Sequence, residues 1–228
     1  MKIVVLTGAG ISAESGLSTF RDESTGLWEG HDPMTVATPE AFAADPDLVH
    51  RFYDDRRAAL DRVRPNAAHT ALARLQEHLG DDCYLVTQNV DDLHERAGSP
   101  QVHHMHGRLR AAWCLSCDRR HEWTGSLIER PPCPACGRAT LRPDVVWFGE
   151  VPHDMDAVEE ALYECDLFVA IGTSGVVYPA AAFVHYAIGN RADTLELNLA
   201  PDPVSDFAQV RQGPATENVP AWVEEMLR

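Results

Sequence analysis

Five short apolar runs, at 3–6, 84–87, 145–148, 167–171 and 195–199, recur along the chain with stretches of helical periodicity between them. A run of four or five residues that is apolar at nearly every position suits a strand buried on both faces, which is the pattern of a parallel sheet covered by helices. The chain is therefore expected to be an α/β protein. Helices are expected at 48–63, 67–79, 154–163 and 180–188, and in the tail from Pro220, where Val219, Trp222, Val223, Met226 and Leu227 form one core-facing stripe. Two long gaps, 24–64 and 108–141, interrupt the alternation and are assigned to a smaller lobe. At 228 residues this is one large domain or one domain carrying a small insertion. No apolar run approaches the roughly 20 residues that span a bilayer. Met1-Lys2 leads straight into the first run with no charged n-region, so no membrane segment or targeting peptide is expected, and the setting is read as cytoplasmic.

Four of the six cysteines fall as Cys114-x2-Cys117, a 15-residue gap, and Cys133-x2-Cys136. Two such knuckles present four thiolates to one tetrahedral ion at about 2.3 Å, with no position left for a substrate. The spacing is that of a zinc ribbon, and one structural Zn2+ per chain is expected; a redox pair needs only one such motif. Cys83 and Cys165 stand alone in strand-like runs and read as inert core thiols. The formal charge of −16 repels a phosphate backbone, so nucleic acid is not expected as the main partner. The same excess also serves solubility and names no activity.

The first run leads into Thr7-Gly8-Ala9-Gly10-Ile11-Ser12-Ala13, where glycines permit close backbone approach and the following helix N-terminus can face a pyrophosphate. A Gly-x-Gly turn after a strand serves equally as a tight turn without ligand. Hydride transfer calls for an acidic residue ending a second strand about 20 residues on. Here Asp22 and Glu23 follow Phe20-Arg21 in loop-like sequence, which counts against an ordinary dehydrogenase. Gln88-Asn89-Val90-Asp91 follows a strand end and offers amide and carboxylate groups to a sugar or carboxamide, or forms a plain Asx turn. His103, His104 and His106 are expected in a loop ahead of the cysteines, as candidates for proton transfer or for a second metal site. Gly172-Thr173-Ser174-Gly175 closes another strand as a turn fit for phosphate or ribose hydroxyls.

Together with Gly16-Leu17-Ser18-Thr19-Phe20-Arg21, His104-Met105-His106-Gly107 and the stretch from Arg142 to Glu150, these motifs resemble the sirtuin family, in order and across essentially the whole chain. The resemblance implies a Rossmann-like NAD-binding domain over 1–27, 65–107 and 142–228, with a small lobe made of a helical insertion, 28–64, and a zinc-binding module, 108–141. It implies NAD as co-substrate, acyl-lysine proteins as partners, and conversion to lysine, nicotinamide and 2′-O-acyl-ADP-ribose. By the same resemblance the pyrophosphate lies near Ala9 and Gly10, with Gly8 in the same cofactor-binding turn, and Phe20 and Arg21 sit on the loop that covers the nicotinamide ribose. Ile11 and Asp91 hold the carboxamide, Gln88 and Asn89 address the ribose, and Val90, Gly172, Thr173 and Ser174 complete the cofactor site. Asn198 and Ala215 contact the adenosine half. His106 is the general base that takes a proton from the ribose, a role worth typically about 10² to 10⁴ in rate.

Tyr53 and Arg56, at i and i+3, share one face of the first inserted helix. A phenol beside a guanidinium can grip a carboxylate, which suits a succinyl, malonyl or glutaryl tail better than acetyl. The spacing resembles class III sirtuins, and the small Ala37 leaves room for the longer chain. A solvated face with Arg56 paired to Asp54, Asp55 or Asp61 is the alternative. Two other activities stay open at this level: transfer of ADP-ribose to protein, and a zinc-ribbon nucleic-acid module, which the charge disfavours. The oligomeric state is not legible.

Overall fold

The computed structural model describes residues 1–18, 31–175 and 177–228. Strand β1 (Ile3–Thr7) turns directly into the one-turn helix α1 (Gly10–Ala13). Helices α2 (Pro33–Val36), α3 (Pro39–Ala44) and α4 (Pro46–Ala59) each carry a proline in the first turn behind a capping side chain: Asp32 accepts from the Met34 N–H, Thr38 from Ala41 and Asp45 from Leu48. Helix α5 (Ala67–Leu79) opens with a capping box between Asn66 and His69. There follow β2 (Cys83–Thr87), α6 (Leu93–Arg96), β3 (His103–His104), β4 (Gly107–Cys114), β5 (Arg120–Glu122), β6 (Leu141–Val145) and α7 (Met155–Glu164). The chain ends with β7 (Leu167–Ile171), α8 (Phe183–Gly189), β8 (Asp193–Asn198), β9 (Gln209–Gln212) and α9 (Ala215–Met226).

Six strands form one parallel sheet in the order β3-β2-β1-β7-β8-β9. Side chains of β1 alternate between two cores. Ile3 and Val5 join Leu72 and Leu75 of α5 and Val219, Trp222 and Val223 of α9, whereas Val4 and Leu6 join Val158 and Leu162 of α7 and Phe183 and Val184 of α8. Burial on both faces is why 3–6 is apolar throughout. A separate antiparallel sheet, β5-β4-β6, carries Cys114 at the end of β4. Helix α4 is pinned to it: the buried Arg57 donates from Nε to the Leu109 carbonyl at 2.7 Å, and Asp54 accepts the Leu127 N–H at 2.9 Å.

Four expectations need correction. Residues 145–148 are not a strand of the main sheet; β6 ends at Val145 in the antiparallel sheet, and the run is apolar because Val145 and Trp147 are buried against Val49, Phe52, Tyr53 and Leu109. His103 and His104 form a short strand opposite Val86 and Thr87 instead of lying in a loop. Strand β9 was not expected, since three of its four residues are exposed and it lacks an apolar pattern; it is held by backbone pairing with β8. Helix α9 starts at Ala215 and runs through Pro220, because burying Val219, Trp222 and Val223, at about 1.5–3 kcal/mol for each large apolar side chain, outweighs one lost backbone bond.

Candidate active site

The site is assembled at the C-terminal ends of β1, β2 and β7, where open α/β sheets bind ligands. A Cβ on Gly10 would lie 2.7 Å from Gly172 Cα, and one on Gly8 would lie 2.8 Å from the Gly172 carbonyl oxygen. The glycines of the first turn are thus demanded by the backbone of the turn after β7, to which the Gly10 N–H donates at 2.9 Å. That packing draws Gly8, Ala9 and Gly10 beside Gly172, Thr173 and Ser174.

Behind Ala9 lies a buried polar cluster. Ser12 Oγ donates to Asp91 Oδ2 at 3.0 Å, the Leu93 N–H donates to Asp91 Oδ1 at 3.1 Å, and Asn89 Nδ2 donates to the Gly8 carbonyl at 3.1 Å and to Ser12 Oγ at 3.3 Å. Burial pushes the Asp91 carboxyl up to about 6, against the weaker downward pull of these two donors. Ile11 is fully buried; its N–H donates to the Gly8 carbonyl and its own carbonyl accepts from Asn66 Nδ2.

The histidines divide by their partners. His104 has both ring nitrogens engaged, with the Asn89 carbonyl at 3.0 Å and Glu95 Oε1 at 2.6 Å, and His103 stacks on Tyr84. His106 Nδ1 lies 3.1 Å from the Gln88 carbonyl, which can only accept, so Nδ1 carries the proton. Among the described residues its Nε2 meets no hydrogen-bonding partner, and burial holds the imidazole below its ordinary pKa. A neutral ring with a free Nε2 lone pair is the form a general base requires. Gly107 follows at positive φ, packed so tightly on Asp144 that a Cβ has no room, which fixes His106 between the two sheets.

One cavity of about 330 Å³ is lined by Ala9, Gln88, Asn89, Val90, Asp91 and His106 and also by Ala37, Tyr53 and Arg56. Trp147 Nε1–H donates to the buried Tyr53 hydroxyl oxygen at 2.9 Å. An indole N–H can only donate, so the phenolic hydrogen remains for an acceptor in the cavity, and burial pushes the phenol pKa up, keeping that hydrogen in place. Trp147 is held by Arg142, which stacks on its ring at 3.3 Å and is clamped by Glu150 at 2.7 and 3.0 Å. Arg56 lies over the Phe52 ring with its guanidinium carbon 3.4 Å from the centroid. Two of its alternative partners are engaged elsewhere, Asp54 with Arg57 and Asp61 with Arg110. The Phe148 N–H donates to the Ala37 carbonyl at 3.0 Å, fixing the small side chain in the wall.

Asn198 and Ala215 do not line this cavity. Asn198 Nδ2 donates to the Thr173 carbonyl at 2.8 Å, placing it further along the strand ends, and Ala215 starts α9. Phe20 and Arg21 lie outside the described residues. Sequence reasoning assigned no role to Ser12 or to Trp147, Arg142 and Glu150; the only signal was their place inside quoted motifs, which says nothing of what they touch.

The four cysteines are, among the described residues, the one group of metal-ligating side chains close enough to share an ion. A tetrahedral Zn–S length of about 2.3 Å implies sulfurs about 3.8 Å apart. Cys114 and Cys136 Sγ are 3.7 Å apart, and Cys117 and Cys133 Sγ are 3.8 Å apart, so the donors fit zinc with every position filled. The histidines form no second such group among the described residues.

The Sir2 family profile matches residues 8–179. This chain belongs to the Sir2 family. An NAD-dependent protein deacylase of Pasteurella multocida (strain Pm70) is 52 % identical, covering 100 % of this chain and 98 % of the relative, and one of Escherichia coli (strain K12) is 53 % identical, covering 100 % and 82 %. A solved Sir2 homolog–NAD complex superimposes with a TM-score of 0.86 at 39 % identity, covering 99 % of this chain and 89 % of the other. A Sir2 structure with a deacetylated p53 peptide and 3′-O-acetyl-ADP-ribose gives 0.84 at 28 % identity, covering 98 % and 93 %. This chain thus has a Sir2 fold, in which a parallel α/β sheet is accompanied by a separate small sheet and a four-cysteine cluster.

Proposed function

We propose that this chain removes acyl groups from protein lysines with NAD as co-substrate, that the residues around the 330 Å³ cavity carry the reaction, and that acyl chains ending in a carboxylate are preferred. The observation that carries the reading is a single space lined by an imidazole with a free Nε2, by an amide-and-carboxylate set and by a phenol with a guanidinium.

In this reading Asp91, with Ser12 and the Ile11 turn, orients the nicotinamide carboxamide, while Gln88, Asn89 and Val90 border its ribose. Gly8, Ala9, Gly10, Gly172, Thr173 and Ser174 receive the pyrophosphate region, with Asn198 and Ala215 toward the adenosine; Phe20 and Arg21 are assigned to the cover. NAD supplies an electron-poor anomeric carbon once nicotinamide leaves. The cavity would hold the acyl oxygen toward that carbon, and attack demands a separation of roughly 3–3.5 Å. His106 then takes a ribose hydroxyl proton on Nε2, and its Nδ1–H bond to the Gln88 carbonyl stabilises the imidazolium that forms.

In the same cavity Tyr53 donates and Arg56 supplies positive charge to a terminal carboxylate, and the small Ala37 leaves room for a four- or five-carbon acyl chain. The zinc in Cys114, Cys117, Cys133 and Cys136 holds the small lobe and touches no reactant, since its shell is complete. We assign NAD binding to 1–27, 65–107 and 142–228 and the small lobe to 28–64 with 108–141. No described helix is long and apolar enough to cross a membrane, and unpaired Cys83 and Cys165 suit a reducing, cytoplasmic setting.

The test is a paired assay with NAD and acetyl- or succinyl-lysine peptide, following nicotinamide release and peptide mass. Peptide-dependent nicotinamide, faster with succinyl, is expected. No nicotinamide sinks the reading; nicotinamide and labelled protein without peptide would move the assignment to ADP-ribose transfer; equal rates would remove the acidic preference alone.

A further inference from the structure

The sequence contains eighteen arginines and a single lysine, Lys2. We propose that this protein is refractory to the modification it removes: Lys2 is the one side-chain amine that an activated acyl donor can convert to an amide, and acylating it leaves turnover unchanged. The biological sense of this rests on the deacylase reading, whereas the chemistry of the adduct does not.

Acylation by an acyl thioester or acyl phosphate requires a neutral amine. Nζ attacks the acyl carbonyl, the C–S or C–O bond to the leaving group breaks, thiolate or phosphate departs, and the amine loses a proton to solvent. A guanidinium with a pKa above about 12 stays protonated and delocalised and does not follow this path. The cations at and behind the cavity are all of that type: Arg56 lines it, while Arg57 and Arg142, each 4 % exposed, brace its walls through Leu109 and Trp147. A lysine in any of these places would become neutral, or negative with a succinyl group, and break the contact.

Lys2 sits where that change is harmless. It precedes β1 at the N-terminal edge of the sheet, and Gly8 lies six residues further along extended chain, roughly 20 Å away at about 3.3 Å per residue. That is beyond the screening length of about 8 Å at physiological salt. Its Nζ donates to Glu164 Oε2 at 2.6 Å, and this partner holds the amine protonated well above neutral pH, slowing its reaction. Its backbone is tied on both sides, N–H to Asp166 Oδ2 at 2.7 Å and carbonyl to the Asp166 N–H at 2.8 Å, so losing the Nζ contact leaves β1 in register.

The zinc-loaded full chain is incubated with succinyl-CoA or, in a second arm, acetyl phosphate, with a lysine-rich protein in the same tube as a reagent control. Adducts are mapped by intact mass and peptide sequencing, and kcat/KM is measured after the donor is removed. Expected are amide adducts on Lys2 and the N-terminal amine only, kcat/KM within about twofold of the untreated chain while the control protein is heavily modified, and a Lys2→Arg variant that gains no side-chain adduct and keeps the same turnover. Amide adducts on other side chains, turnover that falls in step with Lys2 occupancy, or loss of activity in treated Lys2→Arg each overturn the proposal. Untreated chain that releases no nicotinamide refutes the deacylase reading instead, and the adduct map still decides the claim about Lys2.

Discussion

Replacing Asp91 by Asn separates what this residue does for the reaction from what it costs the fold. Its carboxyl is buried, accepts from Ser12 and the Leu93 N–H, and is pushed by burial from 3.8 up to about 6. In the unfolded chain the proton is released near 3.8, whereas the folded chain keeps it to about 6. Between those values the folded state holds more protons, so stability from this group falls as pH rises and the deficit is complete above pH 6. At about 1.36 kcal/mol per pKa unit the deficit is roughly 3 kcal/mol at pH 8 and about half of that at pH 5. Asn has the same shape, stays neutral, and can still accept from Leu93. Asp91→Asn is therefore expected to be the more stable protein, with a gap that roughly doubles from pH 5 to pH 8, while turnover is lost with the carboxamide's partner. Urea unfolding of both zinc-loaded proteins at the two pH values reads the gap directly. A gap that is constant, or that shrinks with rising pH, would refute the claim that a strained carboxylate is maintained for binding.

His106→Ala is expected to abolish turnover with zinc content and circular dichroism unchanged; in the unsubstituted chain the acid limb of kcat/KM should have its midpoint below pH 6.5, because burial lowers the imidazole pKa, and a midpoint above 7 would place the base elsewhere. Arg56→Met should slow desuccinylation by about 10- to 100-fold, the worth of a charge-assisted hydrogen bond, and deacetylation far less; equal losses would make Arg56 a scaffold residue. Trp147→Phe keeps the ring but frees the Tyr53 oxygen, and a several-fold rise in KM for succinyl-lysine without a comparable change for acetyl-lysine is expected from one lost hydrogen bond. Cys133→Ser should lower bound zinc below one per chain and expose the small lobe to protease while the parallel sheet persists, as scored by metal analysis and limited proteolysis.

The readable parts of this chain were those in which chemistry is local. Cys114 to Cys136 announced a closed metal site because each pair of ligands lies on one turn, and the sulfur separations match it. The main-sheet runs were legible because a strand buried on both faces is apolar at every position, and 67–79 because a helix of that length is amphipathic over its whole span. Residues 145–148 misled for the same reason: burial against α4 and burial in a sheet select the same side chains. Strand β9 left no trace because edge pairing is a backbone property.

Ligand types, glycine turns and the single lysine are matters of composition and short spacing, and a linear string states them completely. Which histidine carries a free Nε2, why Asp91 resists ionisation and where the Tyr53 hydrogen points are different in kind. Each depends on groups far apart in sequence, Gln88 against His106, Ser12 against Asp91, Trp147 against Tyr53, that meet only when the two sheets and α4 close around one cavity. Hydrogen-bond direction and desolvation are set by what stands within a few ångströms, and only the folded chain supplies those neighbours.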